Sequence, residues 1–426
     1  MRYLSLRGLR LENLYYSLIF LYFLTSSMER IHFVFWIFKI KATNFVALFL
    51  MGLLLIDRKM VFLDKKHALV FVGLLISFTA SALCGSYLPR TSVYVIVFIL
   101  HFFAYYLLTV SLFYYFKREL LLKTYVLSFF AIGIYGIFQL VISIFGFPDR
   151  WTGQFYGHIA RVNAFCYEPS YYVLYLCPIV FFANYLYFYT KKFSLMDTLL
   201  LYLMMFISLS TSAFFFYLIS TAFFFFLKSE GRARIRSFLM RSGCTMLAMG
   251  ILFRGIFTSY FLKFFAVGFT SHHSFIGRWR PILLAVEAWL DNPWLGVGAG
   301  GMGPYFIVKN NILPLNSPKM TYDLMTQFDP TNTATDLLAS LGVMGMVVYG
   351  VVFYLAYVEY KACFSLFISD DEKFIIKGLF FSWIMMLVIG QFNPGLFRPY
   401  AWIHTGVVFG YIFSVKREKR NDTVFV

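Results

Sequence analysis

Residues 91–116 read TSVYVIVFILHFFAYYLLTVSLFYYF, a stretch without one Asp, Glu, Lys or Arg. As an α-helix it would rise about 39 Å at ~1.5 Å per residue, more than the ~30 Å hydrocarbon core of a bilayer. Runs of the same character recur on both sides of it, at 11–27, 42–56, 68–86, 123–146 and 169–190. They continue at 196–211, 212–227, 243–257, 334–361, 376–391 and 400–415. The expectation is an all-α polytopic integral membrane protein of about twelve spans. Because 196–227 also reads as one broken unit, the range is ten to fourteen.

Composition excludes the soluble alternative. Sixty per cent of the 426 residues are hydrophobic and only 13% are charged, with aromatics at 22%. Mean hydropathy is +0.73. So few charges cannot cover the surface of a soluble chain this long. The net charge of +17 does not indicate a nucleic-acid partner. Its basic residues fall in short clusters between apolar runs, such as Arg58-Lys59, Lys65-Lys66 and Lys117-Arg118, which is the pattern of orientation in a membrane. With both termini inside, 24 of the 37 Lys and Arg lie on the inner side, and six of the 13 outside lie in one long loop. Both termini are therefore expected in the cytoplasm. The basic N-terminus ahead of an apolar run lacks a small-x-small site and reads as a first membrane anchor. Five scattered cysteines form no CxxC or Cys/His pattern, so neither a disulfide framework nor a metal site is expected.

The organisation follows. Residues 1–257 hold nine spans and a short outer loop at 147–168. Residues 258–333 form a large outer loop, and 334–426 hold three spans and a basic cytoplasmic tail. A loop of some 75 residues far exceeds an ordinary helix connection and points to function. Within it Pro281–Leu290 (PILLAVEAWL) reads as an amphipathic helix with Pro281 at its first position and Asn292-Pro293 as its stop. Ile282, Val286, Trp289 and Leu290 share one face.

Two outer stretches carry candidate chemistry. Arg161-Val-Asn-Ala-Phe-Cys-Tyr-Glu168-Pro169-Ser170 sets an arginine and a carboxylate seven residues apart. There an acid could take a proton from a sugar hydroxyl while the arginine holds a phosphate. The plainer reading is an interfacial salt bridge and a Glu-Pro-Ser helix start. Gly277-Arg278-Trp279-Arg280-Pro281 puts two guanidinium groups beside an expected helix N-terminus, an anion site. Its plainer reading is a pair of arginines reaching lipid headgroups. Arg398, in the outer turn Asn393–Tyr400, joins an anion site or anchors its turn. His101, mid-span, reads as a buried hydrogen-bonding residue. Gly296-Val-Gly298-Ala-Gly300-Gly301 lacks the surrounding parallel sheet of a dinucleotide site and reads as a tight turn near the membrane. His272-His273 lacks a third metal ligand. No Asp, Glu or Lys falls in the centre of a span, which weighs against an ion-coupled transporter.

Three stretches together resemble the O-antigen polymerase/ligase superfamily, bacterial membrane enzymes acting on lipid-linked glycans. The first is Arg161 to Ser170. The second is Gly277-Arg278 through Trp289, Pro293, Gly296, Gly298 and Gly300. The third is Asn332-Thr333 through Leu337-Leu338-Ala339, Gly342 and Gly345. Ligases of this family carry a histidine before that asparagine. Here Thr331 stands in its place, which favours the repeat-unit polymerase, often called Wzy-type. The resemblance implies glycosyl transfer outside the cytoplasmic membrane of a bacterium, from an undecaprenyl-pyrophosphate-linked oligosaccharide, with no cofactor or metal. It implies Arg278, helped by Arg280 or Arg161, on the leaving pyrophosphate. Glu168 would be the general base, and Asn332 would hold sugar or phosphate. A chain-length regulator is a further candidate partner. A ligase acting on lipid A core and a lipid-linked oligosaccharide flippase are the alternatives. Arg278 and Arg280, two apart, share a ligand only if their stretch is non-helical.

Overall fold

The computed structural model describes all residues except 1, 36–37, 62–64, 148, 153, 157–158, 191, 227–242, 244–272, 315–316, 318–320, 327, 367, 396 and 425–426. The chain is all-α, with two small antiparallel hairpins as its only described sheet. In order the elements are α1 (Arg2–Thr25), β1 (His32–Phe35), β2 (Phe38–Lys41), α2 (Ala42–Ile56), α3 (Lys65–Cys84) and α4 (Leu88–Tyr115). Next come α5 (Arg118–Ile144), β3 (Phe155–Tyr156), β4 (Ile159–Ala160), α6 (Pro169–Tyr189), α7 (Leu195–Phe206) and α8 (Thr211–Phe226). The rest are α9 (His273–Asp291), α10 (Met302–Lys309), α11 (Tyr322–Thr326), α12 (Thr333–Phe364), α13 (Asp370–Ile389) and α14 (Pro399–Val424).

Eleven of the twelve stretches read as spans coincide with described helices; 243–257 lies outside the described residues apart from Gly243. Among the described residues five helices (α3, α4, α5, α6 and α12) are long and apolar enough to cross a membrane by themselves. Helix α6 is the axis of the bundle, with 18 of its 21 residues buried. It packs most extensively on α13, while α14 lies along the second half of α4, α12 along α3 and α1 along α5. Pro178 interrupts α6 and leaves the Leu174 carbonyl without its usual backbone donor, and the Cys177 thiol donates to that oxygen at 3.3 Å. In α4 the turns at Phe102–Leu107 widen to a π-helix. There the Tyr22 hydroxyl donates to the Ala104 and Tyr105 carbonyls at 3.3 and 3.2 Å. His101 is buried, its ring nitrogens 2.7 Å from the Val97 oxygen and 3.2 Å from the Phe397 oxygen, as its mid-span position suggested.

The connections sort to two ends. Residues 57–59, 117–118, 192, 359–372 and 416–418 are joined by ion pairs and cation–ring contacts at a basic end. Residues 29–41, 85–91, 151–168, 207–212, 293–298 and 390–398 meet at the other, the loop end.

Two departures from the sequence reading concern the long loop. Helix α9 begins at His273, so Pro281 lies inside it and not at its first position. Its buried side is the one carrying Ala285 and Ala288, which pack with Val297, Met302, Phe306 and Ala339. Helix α12, read as one span from 334, breaks at Gly342. That residue takes φ +63° and ψ −161°, a conformation that favours glycine. The break exposes backbone groups that the glycine-rich turn uses. Val297 and Gly298 N–H donate to the Ala339 and Ser340 oxygens at 2.8 and 3.1 Å. Val343 and Met344 N–H donate to the Pro293 and Trp294 oxygens at 2.9 and 3.2 Å. A Cβ on Gly296 would strike the Ala339 carbonyl, and one on Gly342 the Trp294 carbonyl. The Gly296–Gly301 stretch is thus a tight turn docked into a broken helix.

Candidate functional site

At the loop end the turn 390–398 gathers the charged residues. Asn393 fixes it by donating to the Ser170 carbonyl at 3.4 Å and to Ser212 Oγ at 3.0 Å. From it the Arg398 guanidinium lies 3.7 Å from the Tyr171 ring centroid and donates to Glu29 Oε1 at 2.7 Å. Glu29 has no solvent exposure and also accepts from Lys41 Nζ at 3.3 Å. Lys39 and Lys41 stand over the Tyr167 ring at 5.4 and 6.0 Å. Arg30 donates to the Trp151 and Tyr167 carbonyls.

Burial works to raise the Glu29 carboxyl, but the charges and hydrogen bonds of Arg398 and Lys41 hold it below the ordinary range. Burial together with Arg398 depresses Lys41, although Glu29 opposes them. One buried carboxylate thus faces two close cations, with Arg30 and Lys39 near them. Such an excess of positive charge in a low-dielectric site favours an anion.

Glu168 is the N-cap residue of α6, with Pro169 at the first helical position, and is exposed. Its Oε2 accepts from Ser170 Oγ at 3.4 Å, and its carbonyl accepts from Tyr171 N–H at 3.1 Å. Tyr171 is the ring under Arg398, so the first turn of α6 brings Glu168 and Arg398 to one place. Arg161, half-buried, donates to Gln154 Oε1 at 2.5 Å and to the Leu209 carbonyl at 3.4 Å. It ties the β3–β4 hairpin to the α7–α8 connection beside Ser212.

Asn332 caps α12. Its Oδ1 accepts from Thr335 N–H at 3.0 Å and its Nδ2 donates to the Gln391 carbonyl at 2.8 Å. Thr333 Oγ1 donates to Gly390 O at 2.7 Å and accepts from Gly395 N–H at 3.2 Å. The closing segment of the long loop therefore clamps the turn that carries Arg398: the Asn332 amide nitrogen holds Gln391 while its oxygen caps α12.

The paired-arginine site at 278–280 needs correction. Since α9 is helical from His273 to Asp291, positions 278 and 280 lie about 200° apart around the axis. Neither stands at a helix N-terminus, so the dipole argument for a shared anion site fails. Arg280 is exposed on α9, which packs chiefly on α12; the Arg278 side chain lies outside the described residues.

Sequence reasoning missed Glu29 and Lys41, and also a second ion pair, of which only the arginine is fully buried. Arg90, 2% exposed, donates to Asp329 Oδ2 at 2.7 Å under the long loop. Asp336 accepts from Ser340 Oγ at 3.0 Å just before the Gly342 break. Burial raises the Asp329 carboxyl, against the opposing pull of Arg90. The available signal was scarcity: only 20 acidic residues occur in the chain, and those on outer segments could have been paired with outer cations one by one.

Beneath the turn a cavity of about 170 Å³ runs between α3, α4, α12, α13 and α14. It extends from His67, near the basic end, to Thr333, Gly390 and Gly395 at the loop end, and its walls are almost wholly apolar. The exposed ring of Phe353 lies on its rim.

Residues 198–350 match the family model Wzy_C, described as O-antigen ligase. The match covers α9, the glycine-rich turn, the Asn332 clamp and the Gly342 break, and stops before Arg398. No curated protein matches the chain. The family match gives no support to a flippase, and that alternative is dropped. Over residues 198–350 the chain is thus similar to the O-antigen polymerase/ligase superfamily, in line with the resemblance of its sequence motifs.

Proposed function

We propose that this protein joins undecaprenyl-pyrophosphate-linked oligosaccharide repeat units at the outer face of the bacterial cytoplasmic membrane, as a Wzy-type polymerase. In this reading the loop end faces outward and the basic end, with both termini, faces the cytoplasm. One observation carries the proposal: an apolar groove and a cation-rich cluster meet at the turn 390–398. A polyprenyl pyrophosphate has the same two parts in the same order, a hydrocarbon chain and then a strongly anionic head.

The groove would take part of the chain, and Arg398 with Lys41 would hold the head, with Arg278 as a second contact from the long loop. The acceptor hydroxyl gives its proton to the Glu168 carboxylate, and its oxygen bonds to the anomeric carbon of the donor sugar. The bond from that carbon to the pyrophosphate oxygen breaks, and the electron pair leaves on undecaprenyl pyrophosphate. Fixed cations around the head stabilise that growing charge, an effect worth roughly 10²–10³ in rate per well-placed donor in other enzymes.

The family model's description favours a second reading, a ligase that hands the glycan to a lipid A core acceptor. Thr331, where ligases carry histidine, supports the polymerase, because the base must then come from elsewhere and Glu168 is suitably exposed.

The test is a gel ladder of surface and lipid-linked glycan from a host deleted for the gene. Polymerase loss caps surface chains at one repeat unit, whereas ligase loss strands long chains on the lipid carrier. In the same host Glu168→Gln, Arg398→Lys and Arg278→Ala, each at normal protein level, should give single-repeat product. Near-wild-type ladders from all three would overturn the site.

A further inference from the structure

Helix α9 and the residues after it expose a row of large apolar side chains: Trp279 (51% exposed), Leu283, Leu290 and Trp294 (69%). At 100° per residue, positions 279, 283 and 290 fall within about 40° of one another around the axis. The side bearing Ala285 and Ala288 is buried, and Glu287 and Arg280 are exposed between the two sides. A helix that buries its small residues and turns tryptophan and leucine outward has its apolar face toward something other than its own core.

We infer that this row rests in the lipid headgroup–acyl boundary, so that α9 lies along the bilayer surface as an interfacial helix. Continuity supports lipid as the occupant. The Met344 N–H donates to the Trp294 carbonyl, which sets Trp294 at the head of the exposed face of α12 formed by Met344, Val347, Val351 and Tyr354. These side chains belong to a helix long and apolar enough to span, and their spacing makes one stripe along it. The row on α9 extends that stripe sideways at the end where α12 breaks. Chemistry supports it too. Tryptophan at both ends, leucine between and an arginine at the margin match what an interfacial helix needs, an apolar face with amphipathic rings at headgroup depth. The long loop is thus anchored flat on the membrane, and Arg280 is held at the depth of lipid phosphates.

This inference rests on the membrane fold and not on the polymerase reading, so the two fail separately. The test uses the full chain in phosphatidylcholine vesicles brominated at shallow acyl positions and compares the wild type with Trp279→Phe, Trp294→Phe and the double variant. The expected result is loss of a large part of the lipid-quenchable tryptophan emission in each single variant and of most of it in the double. Quenching by aqueous acrylamide should change little. Unchanged lipid quenching with reduced acrylamide quenching would place the row in water and overturn the inference. No change in either would mean that a protein surface covers the row, and would overturn it equally. Phenylalanine keeps the apolar face, so the variants fold if the wild type does.

Discussion

At the basic end Arg118 bridges Glu372 and Glu418, Lys416 meets Glu359 and Lys192 meets Asp371, and most of these side chains keep contact with water. At the loop end Glu29 keeps none, and its cations Lys41 and Arg398 are only 14% and 17% exposed. Backbone strain is divided in the same way. Of the nine described residues with positive φ, only Arg58 lies at the basic end; Ala164, Leu209, Asn311 and five glycines lie toward the other. One end holds mostly solvated clasps, the pair of Lys416 with Glu359 excepted, and no carboxylate wholly out of water. The other confines charge and bends its backbone to do so, which is where a protein of this kind would do its chemistry.

The largest effect should come from taking one partner out of the confined cluster. Arg398→Ala leaves the Glu29 carboxylate buried beside Lys41 alone, and breaking a buried pair in this way costs about 3–5 kcal/mol. The thermal midpoint in detergent should fall accordingly, and the glycan ladder should be lost. Acid sharpens the point. Because the folded state depresses the Glu29 carboxyl, its contribution is present above the unfolded value near ~4.3 and is lost as pH falls through the lower folded value. Glu29→Gln should flatten that acid limb of the stability profile. A limb identical to the wild type would remove Glu29 from the account.

Next in size is the broken helix. Gly342→Ala puts a Cβ on a left-handed residue against the Trp294 carbonyl, a strain of about 1–3 kcal/mol. The midpoint should drop and the glycine-rich turn should become more sensitive to protease. A neutral result would mean that α12 straightens at no cost.

Much of this architecture was legible in the sequence, for a physical reason. A bilayer demands about twenty apolar residues per crossing, so α2, α3, α4, α5, α6 and α12 could be bounded to within a few residues. The Glu168-Pro169 helix start and the docked Gly296–Gly301 turn were legible too, since proline at a first helical position and clustered glycines have local causes. The start of α9 was not, because Pro281 was read as a first position and stands inside the helix. Nor was the break at Gly342, since single glycines are frequent in spanning helices. The charge cluster was least legible. Glu29 and Arg398 are 369 positions apart, and nothing local to either announces the other. Of the residues proposed from the sequence, Glu168 and Arg398 both lie beside the first turn of α6, Asn332 clamps the turn of Arg398, and the pairing of Arg278 with Arg280 does not survive a continuous helix.

Helix caps give a matched pair across the two ends. Asn332 caps α12 at the loop end, and Ser194 caps α7 at the basic end in a box with Asp197. Alanine at either should cost about 1 kcal/mol. The ladder should shorten only in Asn332→Ala, because only that cap also holds the turn of Arg398 through Gln391. Equal ladders from both variants would mean that the clamp does not matter to the product.

The smallest effect is expected at Lys192. Its partner Asp371 lies 3.0 Å away, but the two side chains are 41% and 65% exposed. In that setting water screens the attraction, and holding two long side chains in one geometry offsets most of what remains, leaving about 0–1 kcal/mol. Lys192→Ala should therefore leave the thermal midpoint and the ladder nearly unchanged. The small loss it does cause should vanish in high salt, where screening acts within ~3 Å at 1 M. The Glu29 cluster lies out of water and should hold its contribution over the same salt range. A Lys192 loss as large as that of Arg398→Ala would mean that exposure does not separate the two ends, and the contrast drawn from burial would fail at its simplest point.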